Sequence, residues 1–135
     1  GKIGLNEAEG ESQRLLEFVG LKGKAPNVAG SLNVAELKRL DLARALATKP
    51  RLLILDELNT GLTPAETKDA VSLIRKIREQ GVTILIVEHL MKIIMELCDR
   101  IVVLNFGQKI GEGTPREIAS DPRVIQAYLG EHNAC

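Results

Sequence analysis

The chain has 135 residues, 44% of them hydrophobic and only 2% aromatic, and its 18 basic side chains balance 18 acidic ones. That length suits one domain with a modest core of Leu, Ile, Val and Ala, and the zero net charge gives no electrostatic argument for binding nucleic acid or an anionic membrane. No apolar run approaches the roughly 20 residues of a membrane span. The two cysteines, Cys98 and Cys135, lack metal-ligand spacing and indicate a reducing, cytosolic compartment.

The first part of the chain is predicted to be helical apart from a loop around residues 22–32. A short helix comes first and ends at two glycines, Gly20 and Gly23. Its apolar side chains fall on one side of the helix: Leu15, Leu16, Phe18 and Val19. After the loop, which is rich in Gly, Pro, Asn and Ser, a longer helix is predicted from about Val34 to Thr48.

Strands and helices alternate in the rest of the chain. Short, continuously apolar runs predict buried strands near 52–56, 83–88 and 101–105. Between the first two runs, residues 65–80 have the 3–4 spacing of an amphipathic helix. A helix is also predicted for "LMKIIMELC", a short edge strand in "GQKIGEGT", and closing helices in "PREIASDP" and "RVIQAYLG". This order favours an α/β sandwich with a largely parallel sheet.

Polar side chains follow two of the predicted strands. Asp56 and Glu57 end the first strand, and Glu88 and His89 end the second. Because sites in open α/β sheets form at the carboxyl ends of strands, we expect Asp56, Glu57 and His89 to come within reach of one ligand. Two plainer interpretations stay open, since the carboxylates could simply face solvent and His89 could begin a helix.

The order of these segments resembles the ATP-binding subunit of an ABC transporter. The segments are "LNVAE", "RALATKPRLLILDE", a turn, "ILIVEHLM" and "CDRIVVLNFGQKIGEGTP". The resemblance covers about residues 12–131, and the closing "GTPREIASDPRVIQAYLGE" is most similar to the branched-chain amino acid import ATPases, with the lipopolysaccharide-export ATPases close behind. It implies the C-terminal half of a RecA-like P-loop NTPase domain of ABC type, with a remnant of the helical subdomain.

The resemblance also implies a division of the chain. Residues 1–48 would be the helical remnant with a degenerate signature, 49–130 the second half of the ATPase core, and 131–135 a tail. No G-x-x-x-x-G-K-[ST] phosphate loop is present. In the family that loop lies upstream, and its strand runs between the strands predicted at 83–88 and 101–105. We therefore expect a C-terminal fragment with a gap in its sheet.

Residue roles follow from the resemblance by position. Asp56 would hold Mg²⁺, mostly through water, Glu57 would polarise the attacking water, and His89 would contact the γ-phosphate of ATP. Gly61 would lie in the D-loop, which crosses to a second ATPase subunit. The family works with transmembrane permease subunits at the cytoplasmic face of the membrane. This chain alone is expected to bind ATP and Mg²⁺ only weakly. It is also expected to self-associate, to swap elements between copies, or to close the gap by direct pairing of the two flanking strands.

The signature segment departs from the family pattern Leu-Ser-x-Gly-Gln. Asn33, Ala35 and Glu36 occupy positions that would grip a γ-phosphate, but Ala35 adds a Cβ and Glu36 adds a negative charge beside an anion. Asn33 is a good N-cap with Glu36 at the capping-box spacing, so a helix start is favoured over a working signature. Leu58 and Leu90 likewise replace the Pro and Asp that are common in the family.

Two functional hypotheses result. In the first, the chain is part of an ATPase that couples ATP hydrolysis to branched-chain amino acid import. The presence of Asp56, Glu57 and His89 favours this hypothesis. In the second, which the altered signature favours, it is a degenerate stand-alone module that acts as a binding or regulatory partner. In either case the chain alone is expected to be inactive.

Overall fold

The computed structural model describes residues 4–129, so the predicted tail at 131–135 lies outside the described residues. The chain packs as two units, Gly1–Val87 and Glu88–Cys135, and each is described by itself. No helix within residues 4–129 has the length and apolar character needed to cross a membrane. The proposed boundary between residues 48 and 49 stays a prediction.

The described part of the first unit contains three α-helices, two strands and a short 3-10 helix (Ala29–Ser31). The helices are α1 (Leu5–Phe18), α2 (Val34–Ala47) and α3 (Pro64–Glu79), and the strands are β1 (Leu52–Asp56) and β2 (Thr83–Val87). All five elements were predicted, although α1 begins earlier than its apolar residues indicate. The strands predicted near 52–56 and 83–88 are confirmed to within one residue. Their predicted burial is wrong on one face, where four apolar side chains are more than half exposed: Leu52, Ile54, Leu85 and Val87.

The core of the first unit lies on one face of the β1–β2 sheet. The two strands pair in parallel, in register from Leu52 opposite Thr83 to Asp56 opposite Val87. The buried core residues come from the end of α1, from α2 and α3 and from β1: Val19, Leu21, Leu42, Ala43, Leu46, Leu53, Leu73 and Ile77. Because strand side chains alternate between faces, every second residue of β1 and β2 points away from this core.

The second unit is built around a β-hairpin. Its elements are α4 (Met91–Leu97), β3 (Ile101–Asn105), β4 (Gln108–Gly113), α5 (Pro115–Ser120), α6 (Pro122–Val124) and a π-helical turn (Ile125–Leu129). The hairpin turns through Phe106 and Gly107, both at positive φ. The small core joins the inner face of β3 to the closing helices: Ile101, Val103, Ile118 and Val124.

The predicted fold class is confirmed, and an antiparallel hairpin is present in addition to the predicted parallel pairing. The described strands form two separate two-stranded sheets, β1 with β2 in parallel and β3 with β4 antiparallel. The tight turn between β3 and β4 imposes the antiparallel pairing, since a parallel pair needs a long crossover.

Among residues 4–129, three helices begin with a capping box. In this motif the N-cap side chain accepts the backbone N–H of the residue three positions later, and the side chain of that residue accepts the N-cap N–H. The pairs are Asn33 with Glu36, Thr63 with Glu66, and Thr114 with Glu117. The first pair was predicted. The other two were missed, although the Thr-x-x-Glu pattern is visible in the sequence.

Candidate functional site

Two adjacent carboxylates end the parallel strand pair of the first unit, as predicted. Asp56 is the last residue of β1 and lies opposite Val87 of β2. The N–H of Glu57 donates to the carbonyl oxygen of Val87 at 3.0 Å, which extends the ladder by one residue. Strand pairing therefore fixes the backbone of both acidic residues at the carboxyl edge of the sheet, where ligands bind in folds of this class.

The backbone of Glu57 is in the left-handed region, with φ at 47°. That conformation is costly for a residue with a side chain, and such strain persists only where the surroundings hold it. Two donors hold it here: Lys38 Nζ donates to the Glu57 carbonyl at 3.2 Å, and Thr60 Oγ1 donates to the Glu57 carboxylate at 3.0 Å. The sequence did not indicate either contact, since Lys38 lies 19 residues away.

The Asp56 carboxylate is exposed and makes no hydrogen bond or ion pair within residues 4–129. In the same part of the chain, no three His, Cys, Asp or Glu side chains come together as a metal site. Mg²⁺ is commonly held by one or two carboxylates together with substrate phosphates. The exposed Asp56 side chain is a carboxylate of this kind.

In the second unit, Glu88 and His89 have different surroundings. The His89 side chain is exposed, whereas the Glu88 side chain is fully buried. The Glu88 carboxylate accepts the N–H of His89 at 3.1 Å and that of Leu90 at 3.5 Å. Leu90 is the N-cap of α4 but has no capping side chain, so Glu88 satisfies these donors in its place. Of the two polar residues that end the second predicted strand, only His89 has a side chain that a ligand can reach.

The signature segment forms a helix start. Asn33 Oδ1 accepts the N–H of Glu36 at 2.9 Å, and Glu36 Oε2 accepts the N–H of Asn33 at 3.1 Å. The other Glu36 oxygen lies 3.1 Å from Lys24 Nζ. The Asn33 N–H and then Lys24 hold the pKa of Glu36 below its usual value of 4.5, so this carboxylate stays charged and has partners. The predicted capping box is confirmed.

The turn after β1 packs against this helix start. Gly61 has a φ of 78°, and a Cβ added to it would lie 3.1 Å from Val34 Cγ1. Both the backbone angle and the neighbour therefore favour glycine. The contact links the predicted D-loop to the segment that contains Ala35, which is half-buried in the first turn of α2. Leu58, which stands where the resemblance leads us to expect a proline, is buried. It therefore adds no exposed apolar group to the site.

Comparison with known protein families and sequences gives consistent matches. A family model described as "Branched-chain amino acid ATP-binding cassette transporter" matches residues 108–134. The high-affinity branched-chain amino acid transport ATP-binding protein BraF of Pseudomonas aeruginosa is 48% identical over 117 residues, 86% of this chain and 46% of BraF. LivG of Escherichia coli, which has the same description, is 42% identical over 127 residues, 93% of this chain and 50% of LivG. The chain spans about half the length of the curated relatives it matches.

Solved structures match nearly the whole of this chain and about half of their own length. The ADP conformation of an ATP-binding cassette of an ABC transporter superposes with a TM-score of 0.83 at 30% identity, over 96% of this chain and 52% of its own. The structure of cbiO1 from Clostridium perfringens, described as part of the complex cbiONQ, gives a TM-score of 0.81 at 26% identity, over 97% of this chain and 54% of its own. Each therefore contains about as much chain again that has no counterpart here.

Proposed function

Because this chain belongs to the ATP-binding cassette family of ABC transporters and has the C-terminal part of its RecA-like fold, we propose that it supplies the water-activating residues of an ATP-hydrolysing transport subunit. The placement of Asp56 and Glu57 at the carboxyl end of β1 carries the proposal. From the descriptions of BraF and LivG, the transported substrate class is branched-chain amino acids.

Each site residue has a role that its surroundings support. The exposed Asp56 carboxylate is available to a Mg²⁺ ion that ATP brings with it. Glu57 accepts a proton from the attacking water, and its backbone and carboxylate bonds to Lys38 and Thr60 orient it before ATP arrives. The exposed His89 imidazole donates to the γ-phosphate. Phosphoryl transfer depends mainly on positioning and on hydrogen-bond donors and cations that point at the phosphate oxygens. The Mg²⁺ ion would supply part of this positive charge.

Partner contacts are also proposed from the relatives. The assembled protein would work with transmembrane permease subunits and a second ATPase subunit at the inner face of the membrane. Gly61, in the turn after β1, would face that second subunit. Asn33, Ala35 and Glu36 would be poor at clamping its nucleotide, because Asn33 and Glu36 are bonded to each other and Lys24 neutralises the remaining Glu36 oxygen.

The capping box also favours a second candidate function. If the Asn33–Glu36 pair prevents phosphate binding, the chain would be a degenerate module that pairs with an active ATPase subunit and regulates it. The two candidates make different demands on the same residues. The first requires Glu57 for turnover, and the second requires only the fold.

A chimeric LivG tests the proposal. The half of Escherichia coli LivG that matches this chain is replaced by this chain, and ATP hydrolysis and leucine uptake are measured in a strain without LivG. Turnover that Glu57→Gln abolishes, with ATP binding retained, supports the ATPase function. A chimera that binds ATP but shows no hydrolysis dependent on Glu57 contradicts it. Recovery of hydrolysis after the triple change Asn33→Ser, Ala35→Gly and Glu36→Gln would support the degenerate module.

A further inference from the structure

A cleft lies between α1 and the amino-terminal end of the β1–β2 sheet. Its volume is about 470 Å³, which falls within the roughly 300–1,000 Å³ that small-molecule sites occupy. Pro50, which shortly precedes β1, and Val82, which directly precedes β2, belong to its lining. Asp56 and Glu57 lie at the opposite end of the same strands, roughly 15–20 Å away along the strand direction. The cleft is therefore separate from the candidate nucleotide site.

One face of α1 forms a wall of this cleft. The lining residues at positions 11, 14, 15 and 18 have the i, i+3, i+4, i+7 spacing that places side chains on the same side of a helix. Glu11 and Arg14 are charged, whereas Leu15 and Phe18 are apolar and half-buried. The wall therefore changes from charged to apolar over about two helical turns, and a ligand that matches it has one charged end and one apolar end.

The apolar part of the cleft continues across to the sheet. Leu46 and Val82 line it together with Leu15 and Phe18. Leu46 is a buried core residue, and the other three pack against the same core cluster. Because this surface is anchored in the core of the first unit, it forms a fixed floor that an apolar side chain can contact.

Three charged side chains lie close together at the other end. Glu11 Oε2 is 3.5 Å from Arg14 Nη1, and Glu11 Oε1 is 3.8 Å from Lys49 Nζ, which also lines the cleft. Charge-assisted hydrogen bonds between such groups are about 2.7–2.9 Å long, so both ion pairs are looser than direct bonds. Groups of both signs are therefore open to a ligand, a carboxylate for its cation and two cations for its anion.

We propose that this cleft binds a free α-amino acid with a large apolar side chain, such as leucine. The ligand carboxylate bonds to Arg14 and Lys49, its ammonium bonds to Glu11, and its side chain contacts Phe18 and Val82. A fatty acid would place a carboxylate beside Glu11 without the ammonium that offsets the repulsion. In a peptide, one of the two charged groups is replaced by an amide, so only a free amino acid matches both signs at one end.

Calorimetric titration of this chain with L-leucine tests the proposal. We expect saturable binding of one leucine per chain. Three analogues each lack one feature: glycine lacks the apolar side chain, isocaproate lacks the ammonium, and leucine amide lacks the carboxylate. Each analogue is expected to bind at least about fivefold more weakly than leucine, the factor that corresponds to one exposed ion pair at the upper end of its usual range.

Substitutions locate the ligand in the cleft. Glu11→Gln and Arg14→Gln each remove one charge and should weaken leucine binding about fivefold, with circular dichroism as the check on folding. Glu11→Gln should also narrow the difference between leucine and isocaproate, because the ammonium then has no carboxylate to bond. Glu17→Gln is the matched control, since Glu17 lies on the same helix and forms an exposed ion pair with Lys22 outside the cleft.

The outcomes are distinct from those of the chimera experiment, because no ATP is involved. Weaker binding in Glu11→Gln and Arg14→Gln, unchanged binding in Glu17→Gln and a narrower difference between leucine and isocaproate support the proposal. No saturable binding of leucine, equal binding of glycine, or leucine binding that Glu11→Gln leaves unchanged overturns it. None of these results bears on the role of Glu57, so the proposed ATPase function and the amino acid site stand or fall separately.

Discussion

Asn33 and Glu36 exchange two hydrogen bonds, of 2.9 and 3.1 Å, across the first turn of α2. The resemblance to the family implies a phosphate clamp in this segment, whereas its polar groups bond to one another and to Lys24. The pair therefore contributes to the stability of the helix start whether or not a nucleotide is present. This makes its structural role measurable on the isolated chain.

Replacement of the cap should lower stability selectively. Asn33→Ala removes the acceptor of the Glu36 N–H and is expected to reduce the free energy of unfolding by about 1 kcal/mol. Asn33→Ser, which restores the family residue, should lose little because serine is also a good N-cap. Urea denaturation measures both variants, with Asn27→Ala in the preceding loop as control. Equal losses for Ala and Ser would show that the cap is not what stabilises α2.

The three capping boxes predict a specific acid dependence. Backbone N–H donors lower the pKa of Glu36, Glu66 and Glu117, with additional contributions from Lys24 at Glu36 and from the threonine hydroxyls at the other two. Because each folded pKa lies below the unfolded value near 4.5, the stabilisation is complete above that pH and is lost as the pH falls through the folded pKa.

Urea unfolding at pH 7, 5, 4 and 3 measures this dependence. Stability should be nearly flat from pH 7 to 5 and then decline. Glu66→Gln should start less stable at pH 7 and lose less between pH 5 and 3, because the substituted side chain no longer titrates. A Glu66→Gln variant with the same loss below pH 5 as the unmodified chain would show that this box does not contribute to the dependence.

The sequence predicted the elements well where one local signal decided them. The apolar run before Asp56 and the one ending at Val87 form strands as predicted, although only one face of each is buried, and Asn33 with Glu36 marked the start of α2. It did not predict the left-handed Glu57 or its bond to Lys38, because both depend on how distant segments pack. The sequence also could not show that the Glu88 side chain is buried while that of His89 is exposed. Two polar residues after a strand give no repeating pattern from which buried and exposed sides could be assigned.

Gly61 should tolerate a side chain less well than Gly23 does. Both have left-handed backbones, with φ of 78° and 77°, but only at Gly61 would a Cβ meet a neighbour, Val34 Cγ1 at 3.1 Å. Gly23→Ala should therefore cost roughly 1–2 kcal/mol from backbone strain alone, and Gly61→Ala more. Adding Val34→Ala to Gly61→Ala should recover the difference in thermal unfolding. If Gly23→Ala and Gly61→Ala lose the same stability, the contact with Val34 is not restrictive.

The chain alone should self-associate through the exposed apolar side of the β1–β2 sheet. Leu52, Ile54, Leu85 and Val87 remain uncovered in the isolated protein, and burying apolar surface is worth about 25 cal/mol per Å². Sedimentation velocity over a range of concentrations should show a shift to larger species, and Ile54→Thr with Leu85→Thr should return the chain towards the monomer. Val28→Thr should have no effect. A monomer at every concentration, with the sheet still open, would contradict this expectation.

The isolated chain should neither bind ATP saturably nor hydrolyse it. Asp56 and Glu57 are two negative charges that face a polyanion, and the sequence contains no G-x-x-x-x-G-K-[ST] loop to supply backbone donors and a lysine. Losing one preorganised donor typically costs about 2.7–4 kcal/mol, and several are missing, so binding should fail before turnover slows. Calorimetric titration with ATP and Mg²⁺, alongside phosphate release, measures both. The Glu57→Gln variant controls for contaminating ATPase. Saturable ATP binding in the micromolar range, or turnover that Glu57→Gln abolishes, would reveal a phosphate site that neither the sequence nor the fold indicates.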